Sequence, residues 1–183
     1  MKKTLLVLMM IFLFPCLAFA EKPDATLDEM AAPINSICGV TLGDDYLKTK
    51  AMFAKEPYRM QWHPQFTGEA ATKFGIVYLS TDISNIEIAK SLQINADMKN
   101  TVNMITYVLA YRTNGEKYTQ TLDKLINDAN EAYGPCTEQE GIVGDRAVTH
   151  RIWQSGERVL TVVAYYLPGY DPQHPYFIRI ART

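Results

Sequence analysis

The chain of 183 residues has no run of basic residues, only three cysteines and, past its first twenty positions, no long apolar stretch. Each lack closes off a class of protein. Lys and Arg number 18 against 20 Asp and Glu, for a formal net charge of −2, and the cations are scattered. Nucleic acid and anionic membrane surfaces select clustered Lys and Arg, so neither is an expected partner. A spanning helix needs about 20 apolar residues in a row. No segment after residue 20 supplies them, and stable membrane insertion of the mature chain is not expected.

Catalytic signatures are also missing. The stretch NSICGVTLGDDYLKTKAMFAK, residues 35–55, sets glycines before an amphipathic run. A phosphate loop would need G-x-x-x-x-G-K-[ST], but Asp44 and Asp45 follow Gly43 where the lysine should stand. Two carboxylates repel a phosphate and suit the positive start of a helix. The expectation is a tight turn feeding a structural helix. His63, His150 and His174 show no i, i+4 pairing and none adjoins a cysteine, so no metal site is expected. No G-x-S-x-G elbow occurs, and Ser155-Gly156 falls between two strand-like runs rather than on a strand-to-helix bend. No catalytic residue and no cofactor is expected. The rival is an envelope hydrolase whose site assembles from scattered residues such as Asp145, His150 and Glu157.

The clearest positive signal is at the N-terminus. Lys2 and Lys3 precede an apolar run over residues 5–14, and Ala18-Phe19-Ala20 gives a small-x-small cleavage pattern. Residues 1–20 therefore read as a cleaved secretory signal, with the mature chain periplasmic or secreted. Cys16 follows Leu13-Phe14-Pro15, which lacks the small residues of a lipidation site. Losing Lys2 and Lys3 moves the formal charge from −2 to −4. Cys38 and Cys136 then remain as an even pair in an oxidising compartment. A disulfide is expected, closing about 100 residues and stabilising by about 4–5 kcal/mol in the chain-entropy picture. Two buried thiols or a metal pair are the alternatives.

Residues 21–34 are polar with two prolines and read as a flexible or loosely docked arm; residues 35–183 read as one domain. A first helix starts near Asp44, with Leu47, Ala51 and Ala54 on its apolar face, and Pro57 ends it. Strand-like runs follow at 58–62, 74–79 and 102–112, while 83–96 fits helix or strand. A second helix spans about 118–133, where Leu122, Leu125, Ile126, Ala129 and Tyr133 form one stripe before Gly134 and Pro135. TEQEGIVGD reads as a polar loop. Residues 146–153 and 158–166 form a hairpin through a four-residue turn, and 176–180 alternates Tyr176, Ile178 and Ile180 against Phe177 and Arg179. This pattern predicts an α+β fold, mostly antiparallel sheet packed by two main helices. Proline ends each helix ten residues after a core leucine, at Leu47–Pro57 and Leu125–Pro135, which is compatible with a degenerate tandem repeat.

The Gly39-Val40-Thr41 turn, the helix after it and the closing Pro57 resemble the start of small exported domains. These are the β-lactamase inhibitor protein and the small outer-membrane-assembly lipoproteins. The resemblance covers about twenty residues, with Val40 in place of the usual Met. It implies helix layered on antiparallel sheet and a protein-binding role. Membrane anchoring is not implied, since the lipidated cysteine is missing.

Aromatics crowd the C-terminal hairpin: Tyr165, Tyr166, Tyr170, Tyr176 and Phe177, with Trp153 on the strand before. Half of them belong to the core by strand alternation. The rest can make the rigid Tyr-rich surface that recognition favours. The loop LPGYDPQHPY holds Pro168, Pro172 and Pro175, which stiffen it. Tyr170, Asp171, His174 and Tyr176 are the expected binding residues, and another protein is the expected partner.

Overall fold

The computed structural model describes residues 27–54, 59–65, 72–79 and 86–183. The expected signal segment, residues 21–26 of the arm and Pro57 lie outside these. Thirteen elements follow in order: α1 (Leu27–Ala31), β1 (Ser36–Ile37), β2 (Val40–Thr41), α2 (Tyr46–Met52), β3 (Arg59–Gln65), β4 (Thr72–Tyr78), β5 (Ile88–Ala96), β6 (Val102–Tyr111), α3 (Glu116–Tyr133), β7 (Thr137–Val143), β8 (Arg146–Ser155), β9 (Arg158–Tyr166) and β10 (Tyr176–Arg182). The last eight strands form one antiparallel sheet in the order β3-β4-β5-β6-β10-β9-β8-β7. The fold is α+β. Two four-strand meanders, β3 to β6 and β7 to β10, each follow a helix and meet where β6 pairs with β10.

The core lies on one face of this sheet. Leu92 and Ile94 of β5, Tyr107 and Leu109 of β6, and Ile178 and Ile180 of β10 alternate onto it, as period-2 side chains must. Leu125 and Ala129 of α3 come down on the same cluster, with Leu122, Ile126 and Tyr133 packed beside them. The helical stripe anticipated from spacing is thus the buried one. At its end, Gly134 takes φ 82°, the left-handed region that glycine enters freely. Asn130 Oδ1 then accepts from the Cys136 amide at 3.2 Å and from the Trp153 indole at 3.0 Å. One side chain therefore ties the helix terminus to β8.

Four expectations need correction. Residues 27–34, read as part of a flexible or loosely docked arm, are packed into the core: α1 lies against α3, and Met30, Ala31 and Ile34 are buried. The anchor is Arg182, fully buried at the end of β10. Its Nη2 donates to the carbonyls of Glu29 (3.0 Å) and Met30 (2.6 Å), and its Nε to that of Pro33 (3.1 Å). A guanidinium suits the negative C-terminal end of a short helix. Burial pushes its pKa down to about 10.

The disulfide is the second correction. No disulfide joins Cys38 and Cys136; both pack as small apolar groups with the same core cluster, behaviour common for cysteine. Cys38 (φ 53°) and Gly39 (φ 73°) form the two-residue turn between β1 and β2, the left-handed pair that a tight hairpin requires.

Third, α2 buries a different face from the one expected. Tyr46, Thr49 and Phe53 point inward, while Leu47 is 58% exposed and Ala51 and Ala54 are exposed too. The helix start was read correctly: Asp45 Oδ1 accepts from the Lys48 amide and Asp44 Oδ2 from the Thr41 amide. Both carboxylates that argued against a phosphate loop are occupied by backbone donors.

Fourth, the polar loop after Pro135 is the edge strand β7, paired along its length with β8. An edge strand exposed on both faces carries no apolar alternation to read. The His150 ring lies over Gly141, where a Cβ would force the ring to move. The hairpin turn after β8 is also tighter than expected, since Ser155 pairs with Arg158 around Gly156 and Glu157.

Candidate functional site

No described helix covers the second face of the sheet where it carries a cleft of about 260 Å³. Its floor follows from strand register. Ala89, Ala110, Phe177 and Tyr165 lie side by side across β5, β6, β10 and β9, and the next row holds Ser91, Val108, Arg179 and Val163. These residues alternate with the core-facing ones on the same strands, so folding of the core delivers them outward. Tyr165 stacks on Phe177 at 5.1 Å between ring centroids, with planes 10° apart. Burial raises the Tyr165 phenol pKa, and the nearby Arg179 charge offsets part of that rise.

The loop between β9 and β10 makes the wall. The Leu167 amide donates to the Pro175 carbonyl at 2.8 Å and closes its base. Asp171 Oδ1 accepts from the amides of Gln173 (2.9 Å) and His174 (3.1 Å), the side-chain-to-backbone turn that Asp favours. Tyr170, 67% exposed, meets Phe177 edge-on at 5.9 Å.

The four expected binding residues separate into three roles. Tyr170 and Asp171 line the cleft. His174 does not: it is fully buried, with Nδ1 3.3 Å from Asp171 Oδ2 and Nε2 3.0 Å from the Ile86 carbonyl. Both neighbours are acceptors, one facing each ring nitrogen. His174 latches the loop to the chain just before β5. Tyr176 lies on the opposite face, packed with Tyr118 and Tyr166.

Sequence reasoning passed over Arg179, Phe177 and Tyr165 as site residues. The signal was present in the alternation of β10, where Phe177 and Arg179 oppose the core-facing set.

The scattered residues of the rival hydrolase do not converge. Asp145 precedes β8 and Glu157 follows it, and ten residues of strand separate such ends by about 33 Å. His150 sits in mid-strand over Gly141. His63 is on β3 and His150 on β8, near opposite edges of the sheet. Among the described residues no group of three His, Cys, Asp or Glu is placed to hold a metal ion, and no helix is long and apolar enough to cross a membrane. In comparisons with known proteins, no family model, no curated protein and no solved structure matches this chain.

Proposed function

We propose that the protein is an exported, non-catalytic binding module, of the inhibitor, immunity or envelope-accessory kind, and that it holds a segment of another protein in the cleft on its open sheet face. The observation that carries this is the cleft itself. An apolar floor of Val108, Ala110 and Phe177 is walled by Tyr165 and Tyr170, and the loop forming the wall is fixed by the His174–Asp171 contacts before any partner arrives. Rigid aromatics at a concave patch are where interface energy concentrates, and a pre-ordered loop loses little entropy on binding. Export rests on the pattern of residues 1–20, and the resemblance carried by Gly39-Val40-Thr41 points to the same protein-binding role.

Capture from envelope extract, followed by affinity measurement on the purified partner, tests this. Tyr170→Ala should lower affinity about 30-fold, the loss of about 2 kcal/mol typical of a hot spot, with an unchanged melting temperature. Ser91→Arg, which intrudes on the cleft, should abolish binding, and Leu47→Ala on the far side should leave it intact. A partner held equally by the Tyr170 and Ser91 variants overturns the proposal. The export component has its own test: the intact mass of the envelope form should begin at or near Glu21 and carry no acyl chain.

A further inference from the structure

Two buried polar atoms on the open face have no hydrogen-bond partner among the described residues: Arg179 Nε and Thr106 Oγ1. Arg179 lies at the centre of the sheet between Val108 and Val163, neither of which has a side-chain acceptor. Thr106 is one row along β6, between Gln93 and Ala181. A buried donor without an acceptor is costly, and such groups in folded proteins are rare. The carboxylate in the cleft wall does not answer it: the Asp171 oxygens are turned to Gln173 and His174, and Arg179 Nε bonds to neither. The cleft is therefore apolar in body, with the Arg179 cation at its base.

We infer that the occupant of this cleft is the carboxyl terminus of a partner chain ending in a bulky apolar residue. Its terminal carboxylate accepts from Arg179, and its side chain lies against Phe177, Tyr165 and Tyr170. This rests on the cleft being the protein-binding site. Charge complementarity selects the carboxylate, which the planar guanidinium fork matches in geometry. Size selects a terminus over an internal segment. The cleft of 260 Å³ is smaller than the roughly 300–1,000 Å³ that whole small-molecule ligands occupy, and suits one anchored residue. Phe177 and Arg179, two residues apart on one strand, are separated by about 7 Å. A single terminal residue bridges that span with its own side chain and carboxylate.

The test titrates the full chain with an acetylated tetrapeptide ending in phenylalanine, as the free acid and as the amide. Calorimetry gives affinity, and amide-resolved NMR locates the perturbation. The free acid should bind at least 10-fold more tightly than the amide, shifting signals of Phe177, Arg179 and Tyr170. Arg179→Met should erase that difference and Arg179→Lys should keep part of it. The acid-to-amide comparison on the wild-type chain needs no variant, so it stands even if a substitution disturbs folding. Equal binding of acid and amide with cleft signals shifting overturns the carboxylate inference and leaves the binding cleft standing. No shift with either peptide at millimolar concentration overturns both. Phenylpropionic acid binding as tightly as the peptide acid would assign the cleft to free apolar acids and overturn the peptide occupant.

Discussion

Arg182 and Arg179 stand three residues apart on β10 and face opposite sides of the sheet. Their surroundings differ as the two faces do. On the covered face Arg182 is buried and holds three backbone carbonyls of the α1 segment. On the open face Arg179 has a buried Nε with no partner among the described residues. The covered face turns Arg182 Nε and Nη2 onto carbonyls while Nη1 has no partner among the described residues, and Asn130 joins Trp153 to the Cys136 amide. The open face leaves polar capacity unused beside aromatic rings. One sheet thus separates a face packed into the core from a face that carries a cleft.

The sharpest way to break this comparison is to exchange each arginine for methionine. Arg182→Met should cost about 3–5 kcal/mol in urea unfolding, because three buried carbonyls lose a charged donor, and hydrogen exchange should show α1 released. Arg179→Met should be neutral or slightly stabilising, since it removes an unpartnered buried donor. Equal losses from the two would end the distinction between the faces.

Adjacent residues of β6 offer the next test. Leu109 faces the core and Leu109→Ala should cost about 2–5 kcal/mol. Val108 faces the cleft, and Val108→Ala should cost about 1–1.5 kcal/mol while weakening partner binding. Denaturant midpoints at constant slope check both.

The loop over the open face is latched to the segment before β5 by His174. His174→Ala removes two ring contacts and should cost about 1–2 kcal/mol, with Tyr170 gaining mobility by NMR relaxation. An unchanged loop would show that the prolines alone hold it.

Alkaline pH probes burial on both faces together. Tyr46, Tyr111 and Tyr118 on the covered face and Tyr165 on the open face all have pKa values raised above 10.0, chiefly by burial. Such groups keep their protons in the folded chain after the unfolded chain has lost them. The stability tied to them is complete below pH 10 and drains as pH climbs through the raised values. Arg182 works the other way: its folded pKa of about 10 lies below its unfolded value, so its contribution grows with pH above 10. Four groups against one predict a net fall in unfolding free energy from pH 9 to 11. A flat profile across that window would contradict the burial described. Smallest of all, Leu47→Ala on the exposed side of α2 should change stability by less than about 0.5 kcal/mol.

How much of this was legible beforehand varied with the element. The α3 stripe, the β10 alternation and the Asp44-Asp45 helix start could be read because each encodes burial or capping within a few residues. The buried face of α2 could not: Leu47 looks like core, but the small β1–β2 hairpin and the backbone contacts of Asp44, Asp45 and Tyr46 with the β5–β6 turn rotate it outward. Strand β7 was missed because an exposed edge shows no periodicity. Of the cleft lining, Tyr170 and Asp171 could be named from loop composition, whereas His174 is buried beneath the loop and holds it.

The sequence alone determined the α+β class, the alternation along β10 and the stiff aromatic loop, all consequences of local preference and periodic burial. The tertiary structure decided which residues share a face. Phe177, Arg179, Tyr165, Val108 and Ala110 come together only because β6, β10 and β9 are neighbours in the sheet although α3 and three strands separate β6 from β10 in the chain. Long-range pairing obeys the energy of the whole core, and no short window of sequence contains that energy.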